Sequence, residues 1–234
     1  VSETSHPNTG QPIGPPVDGR PAQRPGVVTL QGRFGRLEHL RADHAASLWQ
    51  AVQGHDRIWT YMSSGPFSDE AAFAAWVAAR AADDDPRFYA IIDNTGRVLG
   101  IMALLAIREA HCVIEVGHVL YAPALQRTPL TTEAQYLLAR HAFETLGYRR
   151  YEWKCDALNA ASRRAALRYG FTFEGIFRQH MIAKGRNRDT AWYSMLDGEW
   201  PARKANFERW LKPENFTADG KQISSLSAMN GVAG

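Results

Sequence analysis

The sequence predicts an α/β domain (α+β in the arrangement of its elements), and three observations carry that expectation. Residues 114–121 read as a strand, 126–129 as a polar turn and 132–146 as a helix. Residues 150–155 then read as a second strand, with a short helix behind it that ends at Tyr169, Gly170 and Phe171. Two stretches turn back on themselves, at 93–96 (Asp-Asn-Thr-Gly) and at 184–187 (Lys-Gly-Arg-Asn), as hairpins do. Two helices with apolar stripes stand upstream of both.

In order, residues 1–28 are rich in Pro, Gly and small polar residues and lack periodicity, so they are expected to be an extended or disordered arm unless they pack on the domain. Residues 29–40 form the first strand. Asp43 starts a helix carrying Ala45, Leu48, Trp49 and Val52, and Ser68, Asp69 and Glu70 open another striped with Phe73, Trp76 and Val77. The acidic run ending at Pro86 stops it. Strands at 88–92 and 98–107 flank the first hairpin turn, and Glu109 to His111 is a further turn. Gly147 holds the position that terminates the long helix, and 171–182 and 190–196 form the last hairpin. Residues 201–211 are helical. The chain thus divides into an arm at 1–28, a domain at 29–212 and a flexible tail at 213–234.

Composition narrows the function classes. A hydrophobic content of 45% suits a globular core, and no apolar run nears the ~20 residues a membrane span needs. No signal-peptide pattern opens the sequence, and the only cysteines, Cys112 and Cys155, lie on predicted strands as buried thiols of a reducing compartment; the expectation is a cytoplasmic protein. The histidines form no metal-ligand spacing with cysteines or carboxylates, so no metal is expected. A net charge of +3 suits an anionic cofactor without announcing nucleic acid, and the basic run 178–188 is broken by a turn.

Asn159-Ala-Ala-Ser162, followed by Arg168-Tyr-Gly-Phe171 and Glu174-Gly175, resembles the second acetyl-CoA motif of the GNAT N-acetyltransferases, in their RimJ/RimL-type branch. Residues 125–134 sit where that family carries its pyrophosphate loop. The resemblance spans about residues 32–200. It implies a mixed central sheet of about seven strands, splayed between the fourth and fifth, with helices on its flanks and the cofactor's pantetheine arm in the gap. The implied cofactor is acetyl-CoA, with CoA as product. The implied acceptor is a small-molecule amine or a protein N-terminus, used by a monomer or homodimer with no nucleic acid or membrane partner.

Within that resemblance each candidate has a chemical reason. Gln126, Arg127, Thr128, Leu130, Thr131 and Thr132 surround a helix start, where free N–H groups and the helix dipole favour a diphosphate. The family usually has two glycines here; this chain has Arg127 and Pro129, and compensation is expected from a charge-assisted contact of Arg127 and from the hydroxyls of Thr131 and Thr132 beside the helix start. Asn159 caps the next helix and, by resemblance, reaches pantetheine; Ser162 is the implied proton donor to the departing sulfur, with an ordinary helix serine as the alternative. Arg163, Arg164 and Arg168 read mostly as a solvated face, from which one, with Arg168 as the candidate, reaches the 3′-phosphate. Val119 or Leu120 supplies the N–H that polarises the acetyl carbonyl, beside a bulge the family carries in this strand.

For the base, Glu115 stands inside an apolar strand, where burial raises a carboxyl toward working pH; a structural ion pair is its alternative. His118 competes. Strand alternation puts the two on opposite faces unless Gly117 marks a bulge. Trp59, Tyr61, Trp153, Trp192 and Tyr193 line either an acceptor pocket or the core. A GNAT-fold module that binds acyl-CoA or a partner without turnover is the competing function, favoured by the missing loop glycines.

Overall fold

The computed structural model describes residues 4–232. A small two-stranded ribbon, β1 (Thr4–Ser5) and β2 (Pro12–Ile13), precedes the main sheet. The sheet's strands are β3 (Thr29–Gln31), β4 (Gly35–His39), β5 (Arg87–Asp93), β6 (Val98–Arg108), β7 (Val113–Tyr121), β8 (Arg150–Asp156), β9 (Thr172–Ala183) and β10 (Arg186–Leu196). They lie in the order β3-β4-β5-β6-β7-β8-β10-β9, antiparallel everywhere except between β7 and β8. The helices are α1 (Ala45–Val52), α2 (Glu70–Ala81), α3 (Pro129–Arg140), α4 (Ala160–Arg168), α5 (Trp200–Leu211) and α6 (Leu226–Met229).

The expected first strand is broken into β3 and β4, so the sheet has eight strands rather than about seven. The cause is Glu133, which is buried near the start of α3 and accepts from the backbone N–H groups of Arg33 (2.6 Å) and Phe34 (2.7 Å). A Cβ on Gly32 would collide with that carboxylate, so only glycine lets the turn close around it. Elsewhere local rules decide the ends. Asp69 caps α2 by accepting from Ala72 N–H, and the β9–β10 turn places Lys184 (φ +49°) and Gly185 (φ +73°) in the left-handed region of a type I′ turn.

Alternation along the strands sorts the core onto two faces. Tyr89, Ile91, Met102, Leu104, Ile114 and Val116 pack beneath α3 and α5; Phe88, Ala90, Ile92, Ile101 and Ala103 pack beneath α1 and α2. On that second face the sheet is more open beyond β7: Lys154 and Trp192 are half-buried, and Phe177 and Met181 exposed.

β7 and β8 pair only from Val113 with Arg150 to Val116 with Trp153. Past that point residues 117–121 and 154–156 part, and the sheet opens as a wedge.

Residues 22–24 and the C-terminal segment are tied to the domain. Ala22 and Gln23 donate to the carbonyls of Glu109 and Leu146, and Arg24 pairs with Glu109 at 2.8 Å. The segment expected as a flexible tail instead folds back. Pro213–Asn215 forms a tight turn, Phe216 bridges to Gln222, and Leu226 is fully buried. Asn230 Nδ2 donates to Arg168 O, and Asn206 Nδ2 to Met229 O. Small polar composition concealed one buried leucine with side-chain amides on either side of it.

Candidate active site

The wedge is the centre of the site, and a bulge in β7 shapes one wall. Ala103 stands opposite Gly117 and Ile101 opposite Leu120, so His118 and Val119 together face the single Met102. His118 takes φ +49°, which absorbs the extra residue. Its ring lies 5.2 Å from that of Phe88, under α1 and α2. Glu115, alternating with Ile114 and Val116, points to the same face. The bulge therefore removes the expected opposition of the two candidate bases, one residue later than Gly117. Val119 carries the backbone N–H at the bulge. Leu120 is back in register and its side chain is core.

Glu115 is buried and accepts from Lys154 Nζ at 2.8 Å, while the same ammonium reaches Glu152 at 2.9 Å and stands 3.9 Å from the centre of the Trp192 ring. The two carboxylates on Lys154 differ. Burial pushes the Glu115 carboxyl up, more than Lys154 holds it down. Burial acts upward on Glu152 too, but Arg150 and Lys154 beside it, with Arg108, hold it below the usual range. A proton entering this cluster therefore goes to Glu115. Burial, reinforced by Arg80, pushes the His118 imidazole down, so it is neutral at neutral pH.

The second wall is β8 and the start of α4. Asn159 Oδ1 accepts from Ser162 N–H at 3.0 Å, the expected cap, and no described residue engages its Nδ2. Ser162 Oγ accepts from the Trp153 indole at 3.0 Å. Cys155 is the sulfur beside it. Burial pushes the Cys155 thiol up, and the bond to Ser162 opposes that.

At the helix start Arg127 adopts φ +62°, the conformation glycine would supply. Pro129 occupies the first turn of α3, where its missing N–H costs the helix nothing. The loop uses its own Gln126, Thr128 and Thr131 N–H groups internally, while those of Arg127 and Leu130 have no backbone acceptor among the described residues. Such a donor set fits a diphosphate.

Several side-chain expectations are corrected. Thr131 Oγ1 donates to Thr128 O at 2.7 Å, and Thr132 is fully buried and accepts from Arg168 Nη1 at 3.0 Å, so neither hydroxyl faces a ligand. Leu130 packs on Gly35, and Gln126 Nε2 holds Tyr121 O. Arg168 lies over the rings of Tyr169 and Trp210, within the packing of α4 on α5 rather than at a phosphate. Among the aromatics, Trp59, Trp153 and Tyr193 are core; Tyr61 and Trp192 are the ones left at the cleft.

The structure also brings in contacts that sequence reasoning missed. Tyr61 OH donates to Leu158 O, and Lys184 Nζ donates to the carbonyls of Trp59 (2.9 Å) and Gly65 (2.7 Å). The hairpin tip thereby ties the α1–α2 loop over the open face. Phe177 stacks on Trp192 at 4.5 Å, with His180 beside them. Lys154 left a trace in the sequence: Arg150, Glu152, Lys154 and Asp156 alternate strictly with Tyr151, Trp153 and Cys155.

The acetyltransferase (GNAT) domain model matches residues 36–172. A GCN5-related N-acetyltransferase from Brucella melitensis is 45% identical, with a TM-score of 0.89 over 91% of this chain and 98% of its own. A protein from Chromobacterium violaceum described as a probable GNAT-family acetyltransferase is also 45% identical, with a TM-score of 0.77 over 82% of this chain and 98% of its own. A Bacillus subtilis relative named as an uncharacterized N-acetyltransferase, YoaA, is 29% identical over 103 residues, 44% of this chain; the match spans only 58% of that relative's length. With the splayed sheet, the bulge and these matches in hand, the chain belongs to the GNAT acetyltransferase family.

Proposed function

We propose that the protein is an acetyl-CoA-dependent N-acetyltransferase that passes an acetyl group to a primary amine by direct attack in a ternary complex. The observation that carries this is the wedge itself: a bulged strand on one side, a capped helix start on the other, and unpartnered N–H groups at its end. When bound, acetyl-CoA supplies the thioester acyl group and the thiolate that leaves.

In this scheme each residue has one task. The N–H groups of Arg127 and Leu130, with the Arg127 side chain, hold the diphosphate. Asn159 Nδ2 holds the pantetheine arm. The Val119 N–H polarises the acyl oxygen, Glu115 takes the proton of the amine directly or through a water, and Ser162 Oγ returns one to the sulfur. The Asn159-to-Ser162 segment supports a RimJ/RimL-type reading within the family, with a protein N-terminus or a small-molecule amine as acceptor. Two free thiols fit a reducing compartment such as the cytoplasm.

Calorimetry with acetyl-CoA, followed by thiol release across a panel of small amines and short peptides, tests the scheme. Saturable binding with amine-dependent release is expected. Binding without release on every acceptor would leave a non-catalytic acyl-CoA module, and no binding would remove the cofactor assignment.

A further inference from the structure

The basic side chains around the cleft are nearly all committed to partners inside the chain. Lys154 is shared by Glu115 and Glu152, Arg150 is held by Glu152 and Glu174, Arg80 by Asp83, and Lys184 by two carbonyls. Arg188 is not. It stands at the start of β10, on the same side of the strand as Trp192, and Trp192 pairs across to Lys154. It is half-buried, its Nε is enclosed without a hydrogen-bond partner among the described residues, and none of the ion pairs just named includes it. Its sequence neighbour Asp189 is turned away, accepting from Gln179 N–H at 2.7 Å and Asn187 Nδ2 at 3.0 Å. Arg188 is close enough to Glu115, His118 and Cys155 for its charge to act on all three.

A partly desolvated guanidinium whose enclosed Nε has no hydrogen-bond partner among the described residues is unfavourable. An anion arriving with the second substrate would offset that cost. The planar fork of arginine matches a carboxylate in two parallel bonds. Its place on the open face, among the groups assigned to the amine, puts such a carboxylate on the acceptor rather than on the cofactor.

We propose that Arg188 is a specificity-determining residue that binds a carboxylate carried by the acceptor beside its amine. The proposal rests on the transferase scheme above for the identity of the acceptor. Two sources share this chemistry, the α-carboxylate of a free amino acid and an acidic side chain next to a peptide N-terminus.

Product-like probes separate binding from turnover. In the presence of CoA, N-acetylglycine is titrated against N-acetylglycinamide, and an N-acetylated peptide with Asp at its second position against the same peptide with Asn. The wild type is expected to bind the acid of at least one pair about 10- to 100-fold more tightly, the scale of a charge-assisted hydrogen bond. The pair showing the preference identifies the source. Arg188→Gln should abolish the preference and Arg188→Lys should keep part of it, with acetyl-CoA affinity unchanged in both. Equal binding of acid and amide in both pairs overturns the proposal, and so does a parallel loss of acetyl-CoA affinity in Arg188→Gln. Amine turnover without acid preference would remove this proposal and keep the transferase scheme. Acid preference without turnover on any amine would do the reverse.

Discussion

Lys154 joins two buried carboxylates of unequal character, and that inequality sets the pH behaviour expected of the site. Glu115 is ion-paired with Lys154 alone and has a raised carboxyl; Glu152 is paired with three cations and has a lowered one. A base works only when ionised, so acetyl transfer should be present above the Glu115 pKa and fall away as pH drops through it. Glu115→Gln should lower kcat/KM by about 10²- to 10⁴-fold, the usual contribution of a positioned base, and should abolish the acid limb of the pH–rate profile. Lys154→Met removes the cation that opposes burial, so the acid limb should move to higher pH while acetyl-CoA affinity, read by calorimetry, stays the same. An unchanged limb in both variants would transfer the task to His118 or a bound water. The position of Glu115 was legible in its strand, since a carboxylate there interrupts an apolar run. Its partner was not, because Lys154 lies 39 residues downstream and meets it only through the parallel register.

Among the elements, the loop before α3 shows how a conformation can survive a change of residue. Arg127 at φ +62° keeps the backbone course that glycine would allow, at a strain of about 1–2 kcal/mol for a left-handed residue. Arg127→Gly should therefore leave stability unchanged or raise it by up to about 1 kcal/mol in chemical denaturation, with the entropy of the unfolded glycine taking back part of the relief. The same variant should weaken acetyl-CoA binding about tenfold or more in calorimetry, through loss of a charge-assisted contact. Sequence placed this loop correctly because a strand, a polar turn and a helix start are local signals. It misassigned the threonine hydroxyls because which way they turn depends on packing: Thr132 meets Arg168, which is 36 residues away. The bulge is a similar case. Gly117 suggested an irregularity, but its place at His118 and Val119 was fixed by the register β7 keeps with β6.

At the scale of the molecule, the C-terminal segment is part of the domain. Leu226 is fully buried in the main core cluster, so Leu226→Ala should destabilise the fold by about 2–5 kcal/mol in urea titration, as other buried leucine truncations do. A change under about 0.5 kcal/mol would return the segment to the status of a loose tail. The eight-stranded sheet makes the same point from the other end: the break at residues 32–34 closes around Glu133, a hundred residues later, and no local pattern announces it.

The sequence alone determined the central strand–helix–strand–helix order, the two hairpins, the starts of α2 and α4 and the family motif, because each depends on hydrophobic period, turn chemistry or spacing within a few residues. Only the tertiary structure decided which charges meet across the wedge, that the two candidate bases share a face, and that Arg188 Nε is left without a partner among the described residues. Those outcomes depend on strand register and on burial, and both are properties of the assembled sheet rather than of any segment within it.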